Sequence, residues 1–264
     1  MNQHDYYDPE NIVDTSYVDQ YAINSFVAKV FGWMFLGLVI TTLTTLALIY
    51  GIYTNEAFAQ FIETAMNLML IIFIVQFGLV HFISARVHRT NPGTAKLLYV
   101  VYAMLNGLTF GLIVYFFGAY VVGMSTVAAA FGITAVSFGI MAIYGLTTKH
   151  DLTHYGSLLV MGLIGIIIAS VVNWFLGNSM LEFIILVGGL AIFLGLVAVH
   201  TERIKNCYAQ VVLHGDNPDG SLTEEQEALA SNLAIHGALT LYLAFINIFL
   251  KILMLLARAK GRRR

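Results

Sequence analysis

Charge is what this sequence lacks over its longest stretches. No Lys, Arg, Asp or Glu stands between Lys29 and Glu56, and none between Lys96 and Lys149. The composition agrees: 59% of the 264 residues are hydrophobic and 11% are charged, with a mean hydropathy of +0.80. A soluble core of this size has no need of such values; they describe a multi-pass membrane protein. Cysteine is equally scarce. The single Cys207 excludes an intrachain disulfide framework, and as a lone thiol beside an expected helix end it points to no chemistry. Basic residues are missing from positions 1–26, which hold Asp5, Asp8, Glu10, Asp14 and Asp19. A cleavable secretory signal needs a basic start ahead of a short apolar core, so this stretch reads as a polar acidic tail before a retained membrane helix. No Gly-rich phosphate loop, nucleophile triad or basic nucleic-acid patch is present, which argues against an enzyme, a cofactor or a nucleic-acid partner.

Apolar segments long enough for a bilayer, about 20 residues, fall at about 28–50, 64–85, 96–117, 121–143, 156–176, 181–199 and 231–257. The expected fold is an all-α membrane protein, a seven-transmembrane-helix bundle over 27–257, with a basic tail at 258–264. Arg86, His88, Arg89 and Lys96 frame an Asn91-Pro92-Gly93 turn, and a break near Gly118-Ala119-Tyr120 separates the third span from the fourth. Gly107 and Gly111 give the third span a G-x-x-x-G face suited to close helix approach. Residues Thr201 to Ala230 read as the one long loop, with Ser221 and Glu224 at capping-box spacing. Its acidic cluster lacks the glycine position of an EF-hand and reads as a solvated face.

Loop charge orients the bundle. With the N-terminus cytoplasmic, the inner segments receive Lys29, Arg86, Arg89, Lys96, Lys149, Arg203 and Lys205, and the outer loops before the last helix receive none. An odd number of crossings then puts Arg258, Lys260 and Arg262 to Arg264 outside. Either that tail is tolerated there, or the last segment enters and returns.

The last segment carries a polar stripe. At about 100° per residue, Asn232, His236, Thr240, Asn247 and Lys251 share an arc of roughly 100°, with Leu241, Phe245, Ile248, Ile252 and Leu255 outside it. Ionisable groups in a membrane turn toward a bundle interior or an aqueous cavity, so this helix is expected at the centre, surrounded by the others. Such a stripe suits both a hydrogen-bonded helix seam and an ion or proton pathway.

The run Lys149-His150-Asp151-Leu152-Thr153, then Gly156-Ser157-Leu158 with Met161-Gly162-Leu163-Ile164-Gly165 and Ala169-Ser170, then His200-Thr201-Glu202-Arg203-Ile204-Lys205, and Leu239 to Phe249 resemble the Bax inhibitor-1 family, in its bacterial form. The resemblance spans most of the chain and is specific in its last three helices. It implies seven helices with the last one central and, for some members, a pH-sensitive calcium leak. Those members carry an aspartate before the Thr-x-x-Ile-Lys run and another between Leu-Tyr-Leu and Phe-Ile-Asn of the last helix. This chain has His200 and Ala244 there. Calcium needs oxygen ligands, and neither side chain offers one.

The candidate pathway or pH-sensing residues are therefore His200, Ala244, His236, Asn247 and Lys251, with Arg86 where the family places a basic residue at the end of the second helix. His200 also reads as an interfacial histidine at a helix end, His236 as a satisfied bundle histidine, and Arg86 as a snorkelling base. The expected function is that of a non-enzymatic regulator of ion homeostasis or of membrane-protein quality control. Its partners are the bilayer, calcium or protons, and another membrane protein such as a quality-control protease. The alternative is a cation leak that uses other ligands, such as Glu182, Glu202 or the loop glutamates Glu224, Glu225 and Glu227. A more distant one is a metalloenzyme through His150 and His154, whose H-D-L-T-H spacing resembles a zinc-binding H-E-x-x-H without a visible third ligand.

Overall fold

The structure is a computed structural model that describes residues 20–65, 69–85, 90–148, 150–213 and 222–261. Among these the chain is helical and no strand occurs. The helices are α1 (Gln20–Thr54), α2 (Glu56–Ala65), α3 (Met69–Ala85), α4 (Pro92–Phe116), α5 (Met124–Thr147), α6 (Thr153–Leu176), α7 (Ser179–Leu213) and α8 (Glu224–Gly261). A π turn, Phe117–Val121, extends α4. Six of these helices are long and apolar enough to cross a membrane. The expected second span at 64–85 differs: α2 runs to Ala65, packing Phe58 against the Gly51 backbone near the end of α1, and α3 begins only at Met69. At 1.5 Å per residue α3 covers about 25 Å, short of a ~30 Å core.

Helix ends depart from expectation where local hydrogen bonding overrides hydropathy. Asn91 caps α4 by accepting the Gly93 N–H, with Pro92 in the first turn. The expected break near Gly118-Ala119-Tyr120 is the π turn that ends α4, and the chain then enters α5 through Gly123 (φ 86°), a backbone conformation that glycine adopts freely. Helix α8 starts at Glu224, ahead of the span at 231–257, as the capping-box spacing of Ser221 and Glu224 implies. Its capping box is Thr223 with Gln226, each side chain accepting the other's backbone N–H. Ser221 lies outside the described residues. The largest correction concerns the expected loop from Thr201: α7 continues to Leu213, because Thr201, Ile204, Cys207, Ala209 and Val211 are buried and Tyr208 stacks on Phe26 of α1 at 4.6 Å.

Helix α8 is the core of the bundle, packed against α1, α4, α5 and α7, and more of it is buried than of any other candidate span. Helix α6 is its opposite, with Gly156 as its one buried residue. The α1–α4 seam rests on small residues and threonines. A Cβ at Gly107 would lie 2.8 Å from the Thr41 carbonyl oxygen, and Thr41 and Thr45 donate to the Ala103 and Gly107 carbonyls at 3.0 and 2.9 Å. Apolar burial does not drive association within lipid, so close approach and hydrogen bonds must.

Helix α8 crosses the whole bundle. Near its start Asn232 donates to Thr90, just before α4, at 2.7 Å. At its other end Arg258 donates to the Ser179 carbonyl and Glu182, and Lys260 to the Val122 carbonyl. These last partners belong to the α6–α7 and α4–α5 connections, so the enter-and-return alternative is set aside. Two of the tail's basic residues are tied to the bundle end, while Arg262 to Arg264 lie outside the described residues.

The seam yields a direct test. Gly107→Val is expected to cost about 1–3 kcal/mol through overpacking, read as a lowered unfolding midpoint in detergent. Gly132→Val, where an added Cβ meets nothing within 4 Å, should stay near the native midpoint; equal losses would refute the seam.

Candidate functional site

The polar stripe of α8 is its least covered side. His236, Thr240, Asn247 and Lys251 are half-buried while Leu241, Phe245, Ile248 and Ile252 are fully buried. The expectation that the other helices seal the stripe is corrected accordingly. Its first part faces a cavity of about 230 Å³ between α1, α7 and α8, lined by Phe26, His200, Arg203, Ile204, Cys207, Leu233, His236, Gly237 and Thr240. Glycine at 237 admits α7 and α1 closely: a Cβ there would meet Ile204 at 3.1 Å and Val30 at 3.3 Å.

His200 and His236 thus meet at one site. His200 is half-buried and, because α7 continues to Leu213, does not stand at a helix end as the interfacial reading had placed it. Thr240 donates to the His236 carbonyl at 2.9 Å, which leaves its oxygen to accept from the cavity. The other candidates are elsewhere. Ala244 is 4% exposed, belongs to the hydrophobic core and does not line the cavity. Asn247 donates to the Leu243 carbonyl of its own helix at 2.8 Å. The Lys251 stem lies against Gly189 of α7, where a Cβ would meet its Cε at 3.0 Å. Arg86 lies outside the described residues.

The sequence reading missed Arg203, Cys207 and Phe26 as lining groups. The first two fell in the expected loop, although His200, Arg203 and Cys207 already have the spacing of one helical face. Arg203 is half-buried, and its Nε is shielded without a hydrogen-bond partner. Among the described residues no carboxylate lines the cavity. Glu202 points its Oε2 at the Leu152 N–H, 2.9 Å away, and Glu182, largely exposed, pairs with Arg258 at 3.4 Å. These two carboxylates are therefore engaged outside the cavity.

The His150 and His154 pair does not form a two-histidine helical face. His150 lies in the turn before α6 and His154 in its first turn. Asp151 between them accepts the Thr153 N–H at 2.9 Å and lies 3.1 Å from His154 Nδ1. Those bonds, Thr153's first, hold the Asp151 carboxyl below its ordinary range. Its contribution to the α6 start is present above the unfolded carboxylate value and is lost only as pH falls through the lowered one. No group of three His, Cys, Asp or Glu suited to a metal occurs among the described residues.

Apolar helices around a buried final helix, with an internal base-lined cavity, define the class: an all-helical, multi-pass membrane protein. The family profile described as "Inhibitor of apoptosis-promoting Bax1" matches residues 23–261. The inner membrane protein YbhL of Escherichia coli (strain K12) is 34% identical over 242 residues, 92% of this chain and 93% of its own. A protein of Borreliella burgdorferi is 38% identical over 239 residues, 90% of this chain and 94% of its own. A membrane protein of Streptococcus pyogenes is 30% identical over 239 residues, 89% and 93% of the two chains. The chain belongs to the Bax inhibitor-1 family.

Cysteine accessibility tests the cavity. In a Cys207→Ser background, Thr240→Cys is expected to react with a water-soluble maleimide while Leu241→Cys and Ile248→Cys stay protected. Labelling at 241 with protection at 240 would refute this orientation of α8.

Proposed function

We propose that the chain is a non-enzymatic membrane regulator of ion homeostasis or membrane-protein quality control, and that its α7–α8 site is not a calcium path. The observation that carries this reading is the lining itself: His200, Arg203 and His236 converge on one cavity, and among the described residues no carboxylate shares it. Calcium requires several oxygen ligands. Here a fixed guanidinium faces the space instead. At an effective dielectric near 20, two unit charges about 4 Å apart repel by about 4 kcal/mol, and a divalent ion doubles that.

In this reading the chain crosses the membrane seven times, with α3 completing the count and the N-terminus cytoplasmic. The basic residues support that orientation, because Arg203, Lys205 and Lys96 lie toward the bundle end from which α1, α4, α6 and α8 start. Regulation then proceeds through protonation of the cavity histidines and through binding of another membrane protein, with a quality-control protease the kind of partner the family resemblance suggests.

Flux from liposomes containing the purified protein tests the reading. Calcium release should not exceed that of empty liposomes between about pH 5 and pH 8, the range over which histidine titrates. The double variant His200→Asp with Ala244→Asp, which restores both family acids, should gain a pH-dependent leak. Robust calcium flux from the native protein, unchanged in the double variant, would return a cation leak with other ligands to first place.

A further inference from the structure

We propose that the cavity between α1, α7 and α8 is an anion site that takes a phosphate-type oxyanion, held by Arg203 with His200 and His236. This goes beyond the reading above: excluding calcium needs only the absence of carboxylates, whereas holding an anion needs donors, space and an accessible level in the bundle. The donors are present. Arg203 lines the cavity with its Nε buried and without a hydrogen-bond partner, and a buried donor left unmet is costly. Among the described residues no carboxylate forms an ion pair with it. Glu202 lies close enough for its charge to be felt at Arg203, but its Oε2 accepts the Leu152 N–H.

A planar guanidinium matches the paired oxygens of a phosphate. The space of about 230 Å³ exceeds several-fold the roughly 30 Å³ share of one water, enough for an oxyanion with part of its hydration or its ester group. The level also fits. A Cβ at Gly156, in the first turn of α6, would lie 3.3 Å from Arg203 Nη2, so the site sits where a membrane helix begins, at headgroup depth. Phe26, Ile204 and Leu233 give it apolar walls. Basic pockets between membrane helices at this depth suit anionic headgroups, and free inorganic phosphate has the same chemistry.

A protonated His200 or His236 would add a donor and a positive charge to the site. The groups facing His200 are Arg203 on α7 and His236 on α8, with Cys207 also at the cavity and Phe26 the uncharged contribution of α1. Binding and proton uptake are then reciprocally linked.

The test uses the full-length protein in neutral detergent, with thermal unfolding followed against inorganic phosphate at constant ionic strength. Separate arms use phosphatidylglycerol and phosphatidylcholine. A ligand of the folded state raises the midpoint saturably. The expected result is such a rise, weakened roughly tenfold or more in apparent affinity by Arg203→Gln. Arg258→Gln, at the opposite end of α8, should leave it intact. A response to inorganic phosphate identifies a free anion, and a response to phosphatidylglycerol alone identifies a lipid headgroup. Should Arg203→Gln not fold, His200→Gln with His236→Gln replaces it and should weaken binding. No saturable rise with either ligand, or an equal rise in the cavity variant, overturns the proposal whatever the calcium flux shows.

Discussion

One hydroxyl joins three helices of this bundle. Thr41 of α1 donates to the Ala103 carbonyl of α4 at 3.0 Å and meets the Tyr242 hydroxyl of α8 at 2.6 Å. Around it Tyr99 and Tyr102 present their rings edge-on to Tyr242, with centroids 6.1 and 6.0 Å apart, and Tyr99 donates to the Trp33 carbonyl at 2.9 Å. Water is no competitor at this depth, so each hydrogen bond sets which helix faces which. Small residues set how near they come: a side chain at Gly37 would collide with the Tyr99 ring, and one at Gly107 with Thr44. This node fixes α8 against α1 and α4, and thereby decides which face of α8 turns toward α7.

With one face held by aromatic packing, the polar stripe is left on the side where α1 and α7 part. The half-buried positions His236, Thr240, Leu243 and Asn247 advance by three and four residues, and from Asn247 the same steps reach Leu250 and Lys251, the course of a single helical face. Polarity and incomplete cover coincide along that face. The stripe is not uniform, however. Asn247 satisfies itself on its own helix, and Lys251 runs its stem along the Gly189 surface. Only the His236 and Thr240 part opens onto a cavity with donors from a second helix.

How far the sequence could be read depended on which physical signal dominated each segment. The stripe on α8 was legible because a period of 3.6 survives any environment, and the G-x-x-x-G approach because Gly107 permits what no other residue does. The C-terminal half of α7 was not. Glu202, Arg203 and Lys205 resemble a loop when counted by hydropathy. They remain helical because Thr201, Ile204 and Val211 continue the buried face between them, with Glu202 tied to the start of α6. That single misreading hid Arg203 and placed His200 at a helix end. The break between α4 and α5 was legible at Gly118-Ala119-Tyr120, where the π turn lies, while the φ of Gly123 that starts α5 leaves no trace in apolarity.

The arrangement of bases explains why the departure from the family's acids is a change of charge logic rather than a loss. A lone aspartate at position 200 would face Arg203 one turn away and His236 across the cavity, and would spend its charge on neutralising them. Histidine there leaves the guanidinium uncompensated. An uncompensated charge under apolar cover is retained only where a counter-charge, water or a pKa change relieves it. Arginine does not deprotonate, so the relief must come from outside its own side chain. Glu202 is held at the α6 start, and the cavity walls are otherwise Phe26, Ile204 and Leu233. Among the described residues no carboxylate at the cavity supplies that relief, which leaves water or a bound anion to supply it.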